Sequence, residues 1–263
     1  MRYRELTEIW RESGINAGDC VLLHSSASRT MRMVRAREET FTLSDLLQTF
    51  IDAVGEEGTL LLPLFNFDFC RGASFDIRST PSTMGAITEV ARNDPRFLRT
   101  RHPVYSFAVH GRLASKFASL RNSSALADDG PFGLLRRVDG KVAVLDLDDQ
   151  NSMTIYHHIE EVVGVDYRYH KSFIGEYIDE SGKKTAESFQ LFVWDESQGV
   201  RTDVNRAGEL LWVNNLYSGS RPGIDSGLRV ISARKMFDAI ERVIRDGKAR
   251  DYLYSIENAG TGL

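Results

Sequence analysis

A chain of 263 residues, 42% hydrophobic and 27% charged, with a net charge of −4, is long and apolar enough to bury a substantial core. The mild acidity gives no electrostatic reason to expect nucleic-acid binding, and no apolar run nears the ~18–20 residues of a membrane span. Met1-Arg2-Tyr3-Arg4-Glu5 lacks the apolar stretch of a signal peptide, and Cys20 and Cys70 stand apart without a CxxC, so a cytoplasmic protein with reduced thiols is expected.

Residues 4–14 alternate apolar and charged at helical spacing, and Gly18-Asp19 turns into the buried-strand run Val21-Leu22-Leu23. Thr42 is placed to cap a helix whose face carries Leu43, Leu46, Leu47, Phe50, Ile51 and Val54. Gly55 to Gly58 ends it and leads into a strand over 59–63. A helix over 83–92, a strand over 105–109, a helix over 132–138 and a strand over 141–145 follow. That alternation predicts an α/β fold with a largely parallel sheet. Beyond residue 172 the texture changes: 173–178, a turn at 179–182 and 187–194 read as an antiparallel hairpin. The strand 228–232 and the helix 233–245 return to α/β. We expect one domain over 1–263 with about 173–225 as a β-rich insertion.

The phosphate cradles GxGxxG and GxxxxGK[ST] are absent, as is HExxH, and Gly223-Ile-Asp-Ser-Gly227 has its serine in the wrong place for a nucleophile elbow. The densest polar cluster is Thr154-Ile-Tyr-His157-His158-Ile-Glu160-Glu161, at the start of a helix that Asn151 or Ser152 can cap. Thr154 and Glu160 each lie three residues from His157 and flank it, whereas His158 points roughly 100° away. Three readings of the cluster stand: a histidine packed at a helix start, a metal pair of His157 with Glu161, and a general base oriented by acids. Only the last uses a ring whose pKa of ~6.5 suits proton removal near neutrality.

Six blocks, in order, resemble the aminoglycoside 3-N-acetyltransferase (antibiotic N-acetyltransferase) family. They are Leu23-His24-Ser25-Ser26-Ala27-Ser28, Gly58 to Pro63, Ser82 to Gly85, Arg99-Thr100-Arg101-His102-Pro103-Val104-Tyr105-Ser106, Asp139 to Leu145 and Thr154 to Glu160. The likeness covers residues 3 to about 172 and fades beyond. It implies a single αβα domain distinct from the GNAT fold, and acetyl transfer from acetyl-coenzyme A to an amine, with His157 as general base and no metal. It also implies an acid that orients His157, with Asp68 the nearest match to the family's position and Glu160 the local alternative. Thr154 becomes a candidate hydrogen-bond donor to the thioester oxygen, beside its reading as a helix cap. For coenzyme A the resemblance points to His24, Ser25, Ser26 and Ser28, with Thr100, His102 and Ser106.

Two departures bear on the acceptor. The segment Arg29 to Arg37, read as a loop, holds four arginines, which would attract phosphates and repel a polycation. Tyr167-Arg168-Tyr169-His170-Lys171 mixes rings and cations suited to a base and a diphosphate, or is an ordinary edge strand. Against both, 146–166 holds six acids and no lysine or arginine, an acidic wall suited to an ammonium. The balance favours a nucleotide-linked amino sugar as small-molecule substrate, with an aminoglycoside antibiotic, and so a resistance enzyme, as the alternative. A metal-dependent amidohydrolase and a non-catalytic binding protein are the competitors from other classes. A homodimer is weighed beside the monomer.

Overall fold

The computed structural model describes residues 3–222 and 227–256. Among them the strands are β1 (Cys20–Ser25), β2 (Thr59–Pro63), β3 (Phe75–Asp76), β4 (Leu98–Arg99), β5 (Phe107–Gly111), β6 (Lys141–Leu145), β7 (Arg168–Ile178), β8 (Lys184–Trp194), β9 (Val200–Thr202), β10 (Ser218–Gly219), β11 (Leu228–Ser232) and β12 (Tyr254–Ile256). The helices are α1 (Tyr3–Glu12), α2 (Ser28–Arg35), α3 (Leu43–Val54), α4 (Ala86–Asn93), α5 (Ala114–Ala118), α6 (Pro131–Arg137), α7 (Ile155–Val163), α8 (Asn205–Val213), α9 (Ala233–Arg245) and α10 (Ala249–Tyr252).

A seven-stranded sheet runs in the order β10-β11-β6-β1-β2-β5-β4. At its centre β1 pairs in parallel with both β2 and β6, while β5 and β11 run against their neighbours on either side. The central strands sort their side chains by the period of two. Leu22, Leu61, Val142 and Val144 enter one core with Phe132, Tyr156, Ile159 and Phe237 from α6, α7 and α9. Val21, Leu23, Leu60, Leu62 and Ala143 enter the other with Leu6, Trp10, Leu46 and Phe50 from α1 and α3. Helices cover both faces, which is why the strands read as unbroken apolar runs, and the αβα layering expected from the family likeness is present.

The start of α3 follows the capping chemistry read from the sequence. Thr42 accepts from the Asp45 N–H, and the Asp45 carboxylate accepts from the Thr42 N–H. The arginine-rich segment corrects its expectation, since it is not a loop: residues 28–35 form α2, burying Thr30, Met31 and Val34 at helical spacing and leaving Arg29, Arg32 and Arg35 exposed.

The hairpin is longer than its apolar residues suggested. β7 and β8 pair antiparallel over eleven residues each, from Arg168↔Trp194 to Ile178↔Lys184. Phe189, Leu191 and Phe192 root it in the same core as α7. Its far end receives β3 in parallel at Tyr177 and Ile178. Past residue 202 the expected β-rich stretch turns helical in α8, and its last positions, 223–225, lie outside the described residues. Because the hairpin shares its core with the sheet, we propose that the chain is one domain carrying the hairpin as an insertion.

Candidate active site

Helix α7 follows β6 across a connection of nine residues, so its first turn stands near the carboxyl edge of the central strands. Ile155, Tyr156 and Ile159 bury into the core and fix the helix's rotation. Thr154 occupies the cap position, but its hydroxyl makes no capping bond. Asn151 and Ser152 do not cap either; their side chains turn back and donate to Asp148. The helix ends at Gly164, whose left-handed conformation (φ 77°) lets its N–H reach the Glu160 and Glu161 carbonyls.

His157 leaves α7 with 16% of its side chain exposed, beside a Glu160 that is 1% exposed. The ring Nδ1 lies 2.9 Å from Glu160 Oε2 and 2.8 Å from Arg168 Nη2. Glu160 Oε1 accepts from the Tyr167 hydroxyl at 2.8 Å, and Oε2 forms an ion pair with Arg168 Nε at 2.8 Å. Arg168 is in turn held by the Phe192 carbonyl, 3.0 Å from Nη1, and by Thr202 Oγ1, 3.2 Å from Nη2. Among the described residues, none bonds to His157 Nε2, the nitrogen a substrate can approach.

These contacts set the charge states. Burial and then the Arg168 charge push the His157 pKa down, while Glu160 pulls it up and loses, so the ring is neutral near pH 7. Burial raises Glu160, but Arg168, His157 and the Tyr167 hydroxyl outweigh it and keep it ionised. A neutral imidazole backed by an ionised carboxylate is the arrangement a general base requires.

His157 opens onto a cleft of about 790 Å³. One wall is the β7–β8 face bearing Tyr169, Lys171, Phe173, Leu191 and Val193, and the other is the turn of Phe67, Cys70 and Arg71 with Tyr105. The walls meet where Gly175 faces the Phe69 ring; a Cβ there would stand 2.7 Å from a ring carbon, so only glycine admits the contact. Trp194, Asp195 and Glu196 close the end nearest His157. Tyr167, just ahead of β7, and Arg168 both reach Glu160, while along the strand Tyr169 and Lys171 face the cleft, which Arg168 also borders beside His157.

The other expected residues separate clearly. Asp68 sits exposed in a 3-10 turn and pairs with Arg71 at 3.1 Å, whereas Glu160 is the carboxylate that contacts His157. Glu161 pairs with His170 at 3.1 Å instead of joining His157, and among the described residues no three His, Cys, Asp or Glu side chains gather as a metal site. Thr100 is 1% exposed and its hydroxyl accepts from the Phe107 N–H. His102, also 1% exposed, accepts at Nδ1 from the Val104 and Tyr105 N–H groups, with Nε2 3.3 Å from the Gln190 carbonyl. Ser106, wholly buried, joins Arg99 to the Leu64 carbonyl. His24 is 5% exposed, and burial pushes its pKa down to about 3. These four side chains are enclosed in the scaffold and offer a ligand almost no surface. Ser25 and Ser26 are half-buried and Ser28 is exposed where β1 passes into α2, but the Ser25 hydroxyl oxygen is itself buried, so Ser26 and Ser28 remain accessible.

Two of the six acids in the 146–166 stretch, Glu160 and Asp149, turn inward. Asp149 is buried among the Tyr156 hydroxyl (2.6 Å), the Tyr217 hydroxyl (2.8 Å) and Arg229 (2.9 Å). Sequence reasoning missed Arg168 and Tyr167 as partners of Glu160, although a signal existed. A buried acid on the apolar side of a helix needs a cation, and Arg168 is the first one after Glu160.

The layered fold and the His157–Glu160 centre together define a three-layer α/β protein built around a candidate histidine base. A profile of the aminoglycoside 3-N-acetyltransferase family matches residues 22–245, and the chain belongs to that family. The SPbeta prophage-derived aminoglycoside N(3')-acetyltransferase-like protein YokD of Bacillus subtilis (strain 168) is 28% identical over 180 residues. That match spans 60% of this chain and 64%, less than two thirds, of the relative. Among solved structures, the aminoglycoside acetyltransferase AAC(3)-Xa superposes with a TM-score of 0.78 at 19% identity, covering 94% of this chain and 93% of that one. AAC-IIIb, solved as a binary complex with CoASH, gives 0.76 at 16% identity over 94% and 97%. These two likenesses concern the fold.

Proposed function

We propose that this chain transfers the acetyl group of acetyl-coenzyme A to an amine on a sugar, with His157 Nε2 as general base. The observation that carries the reading is a neutral His157 backed at Nδ1 by Glu160 and open at Nε2 to the cleft. An alkylamine with a pKa near ~10.4 is neutral in only about one part in ~10³ at pH 7, so the attacking nitrogen must shed a proton. As the carbon–nitrogen bond forms and the carbon–sulfur bond breaks, His157 takes that proton and returns it to the departing thiolate. Glu160 steadies the imidazolium in between. The Thr154 hydroxyl, one turn before His157 and engaged in no cap, supports a role as donor to the thioester oxygen. Ser26 and Ser28 are the accessible candidates for the donor.

For the acceptor we favour a nucleotide-linked amino sugar. Support comes from Tyr169 and Lys171 in the cleft with Arg71 opposite, since rings and cations suit a base and a diphosphate. The names of the relatives, and the acids Asp195 and Glu196 at the His157 end, support an aminoglycoside as the second reading. The deciding experiment follows free-thiol release from acetyl-coenzyme A with kanamycin-type aminoglycosides, plain amino sugars and nucleotide-linked amino sugars. Release with nucleotide sugars alone supports the first acceptor and release with aminoglycosides the second. No release from any of them, with coenzyme A bound, defeats the transferase reading for these amines.

A further inference from the structure

The cleft beside His157 is polarised along its length. Asp195 and Glu196 stand at the end nearest the base, whereas Lys171 and Arg71 stand further along on opposite walls. Lys171 lies three residues beyond Arg168 on β7, a strand distance of roughly 10 Å. Arg71 is shared with Asp68, and both side chains are exposed. Among the described residues Lys171 has no carboxylate partner; its Nζ stands 5.5 Å from the centroid of the Phe173 ring.

A neutral donor joins these two cations. The Tyr105 ring packs against Phe65 at 4.6 Å and Phe67 at 5.6 Å, and the His102 Nδ1 accepts from the Tyr105 N–H at 3.2 Å. The enclosed His102 therefore holds a cleft tyrosine in place. Buried tyrosine hydroxyls usually find a hydrogen-bond partner. Among the described residues the Tyr105 hydroxyl has none, although the side chain lines the cleft. Burial pushes its pKa up to about 12, so it keeps its proton and can donate it to a ligand oxygen. Cys70 lies among the three groups. Burial pushes its thiol pKa up while the charges of Lys171 and Arg71 pull it back, and the thiol in turn acts on the Tyr105 hydroxyl.

We propose that Lys171, Arg71 and the Tyr105 hydroxyl, grouped about Cys70, form a subsite for a phosphoryl group of the acceptor. Two cations and a neutral donor match the oxygens of a phosphate, and a polycation finds no partner there. With acids at the base's end and cations further along, the cleft suits one molecule carrying an ammonium and a phosphate at separate points. The proposal rests on the nucleotide-linked acceptor, but its readout is protection of a thiol and needs no turnover. Coenzyme A also carries phosphates, so it is a necessary arm of the test.

Cys70 itself supplies the signal, because Cys20 is 6% exposed and sealed in the core. Alkylation of the full chain by iodoacetamide is followed by mass spectrometry, with inorganic diphosphate, uridine diphosphate or coenzyme A added. Either diphosphate at millimolar concentration should slow alkylation of Cys70 about tenfold, and coenzyme A less than about twofold. Lys171→Gln and Tyr105→Phe should each raise the concentration for half-protection about five- to tenfold. Lys183→Gln, in the turn at the far end of the hairpin, should leave it unchanged. No protection by either diphosphate, or half-protection unmoved in both cleft variants, would overturn the subsite. Protection by coenzyme A as strong as by uridine diphosphate would overturn its assignment to the acceptor. If no amine is acetylated but protection behaves as stated, the subsite stands and only the transferase reading falls.

Discussion

Two polar segments, Arg99–Ser106 and Thr154–Arg168, stand out in the sequence with comparable density, and the fold uses them in opposite ways. In the first, Thr100, His102 and Ser106 each bond to a backbone group and so complete a turn whose main chain would otherwise be unsatisfied. In the second, one face of the histidine is tied to Glu160 and Arg168 and the other is left open to a cleft. A histidine whose nitrogens are engaged or sealed inside the core, as in His102 and His158, is a structural part; one with a nitrogen committed and the other open to a cleft is prepared for chemistry. Polar density alone does not separate them, whereas an open nitrogen that a ligand can reach does.

The sharpest way to break that contrast is His157→Ala. Loss of a positioned base should reduce turnover by ~10²–10⁴ while coenzyme A binding, measured by calorimetry, stays close to wild type. A fall of less than tenfold would remove His157 from the chemistry. Glu160→Gln should come next, lowering kcat by roughly ten- to a hundredfold, because a neutral amide cannot steady the imidazolium. Asp68→Asn, by contrast, should change kcat less than about twofold, and equal losses in the two variants would reinstate Asp68 as the acid.

The scaffold side makes its prediction in stability. Burial pushes the pKa of His24 and His102 down to about 3 and that of His158 to about 4, each below the unfolded value of ~6.5. The unfolded chain then binds more protons, so stability is complete above ~6.5 and falls on acidification, by about 1.4 kcal/mol per histidine per pH unit until the folded values are reached. Urea unfolding at pH 7, 6 and 5 measures this, and a flat profile would show that these rings are not buried neutral. The smallest effect is expected from Thr100→Val, which should cost about 1–2 kcal/mol by stranding the Phe107 N–H, with kcat of the folded protein unchanged.

Much of this was legible where neighbours in sequence decide structure. The strands 59–63 and 141–145 came out with their bounds intact, being short apolar runs set off by Gly58 and Gly140. His157 and Glu160 could be paired because one helical turn separates them. Helix α2 was hidden by its arginines, although Thr30, Met31 and Val34 carry its buried stripe. Among the described residues the three-residue strands β9 and β12 pair only with each other, some fifty residues apart, and no local pattern announces them. Arg168 was visible as a residue but not as a partner of Glu160, because β7 must fold back over α7 to bring them together.

That remote strand pair has a practical consequence. Tyr254, at the head of β12, stacks on Tyr167 with ring centroids 4.1 Å apart, and β9 supplies Thr202 to Arg168. The carboxyl-terminal stretch is therefore a brace for the centre, two side chains removed from the imidazole. Trimming the chain ahead of Tyr254, or fusing a bulky partner close behind it, would disturb Glu160 without altering any residue that touches a substrate.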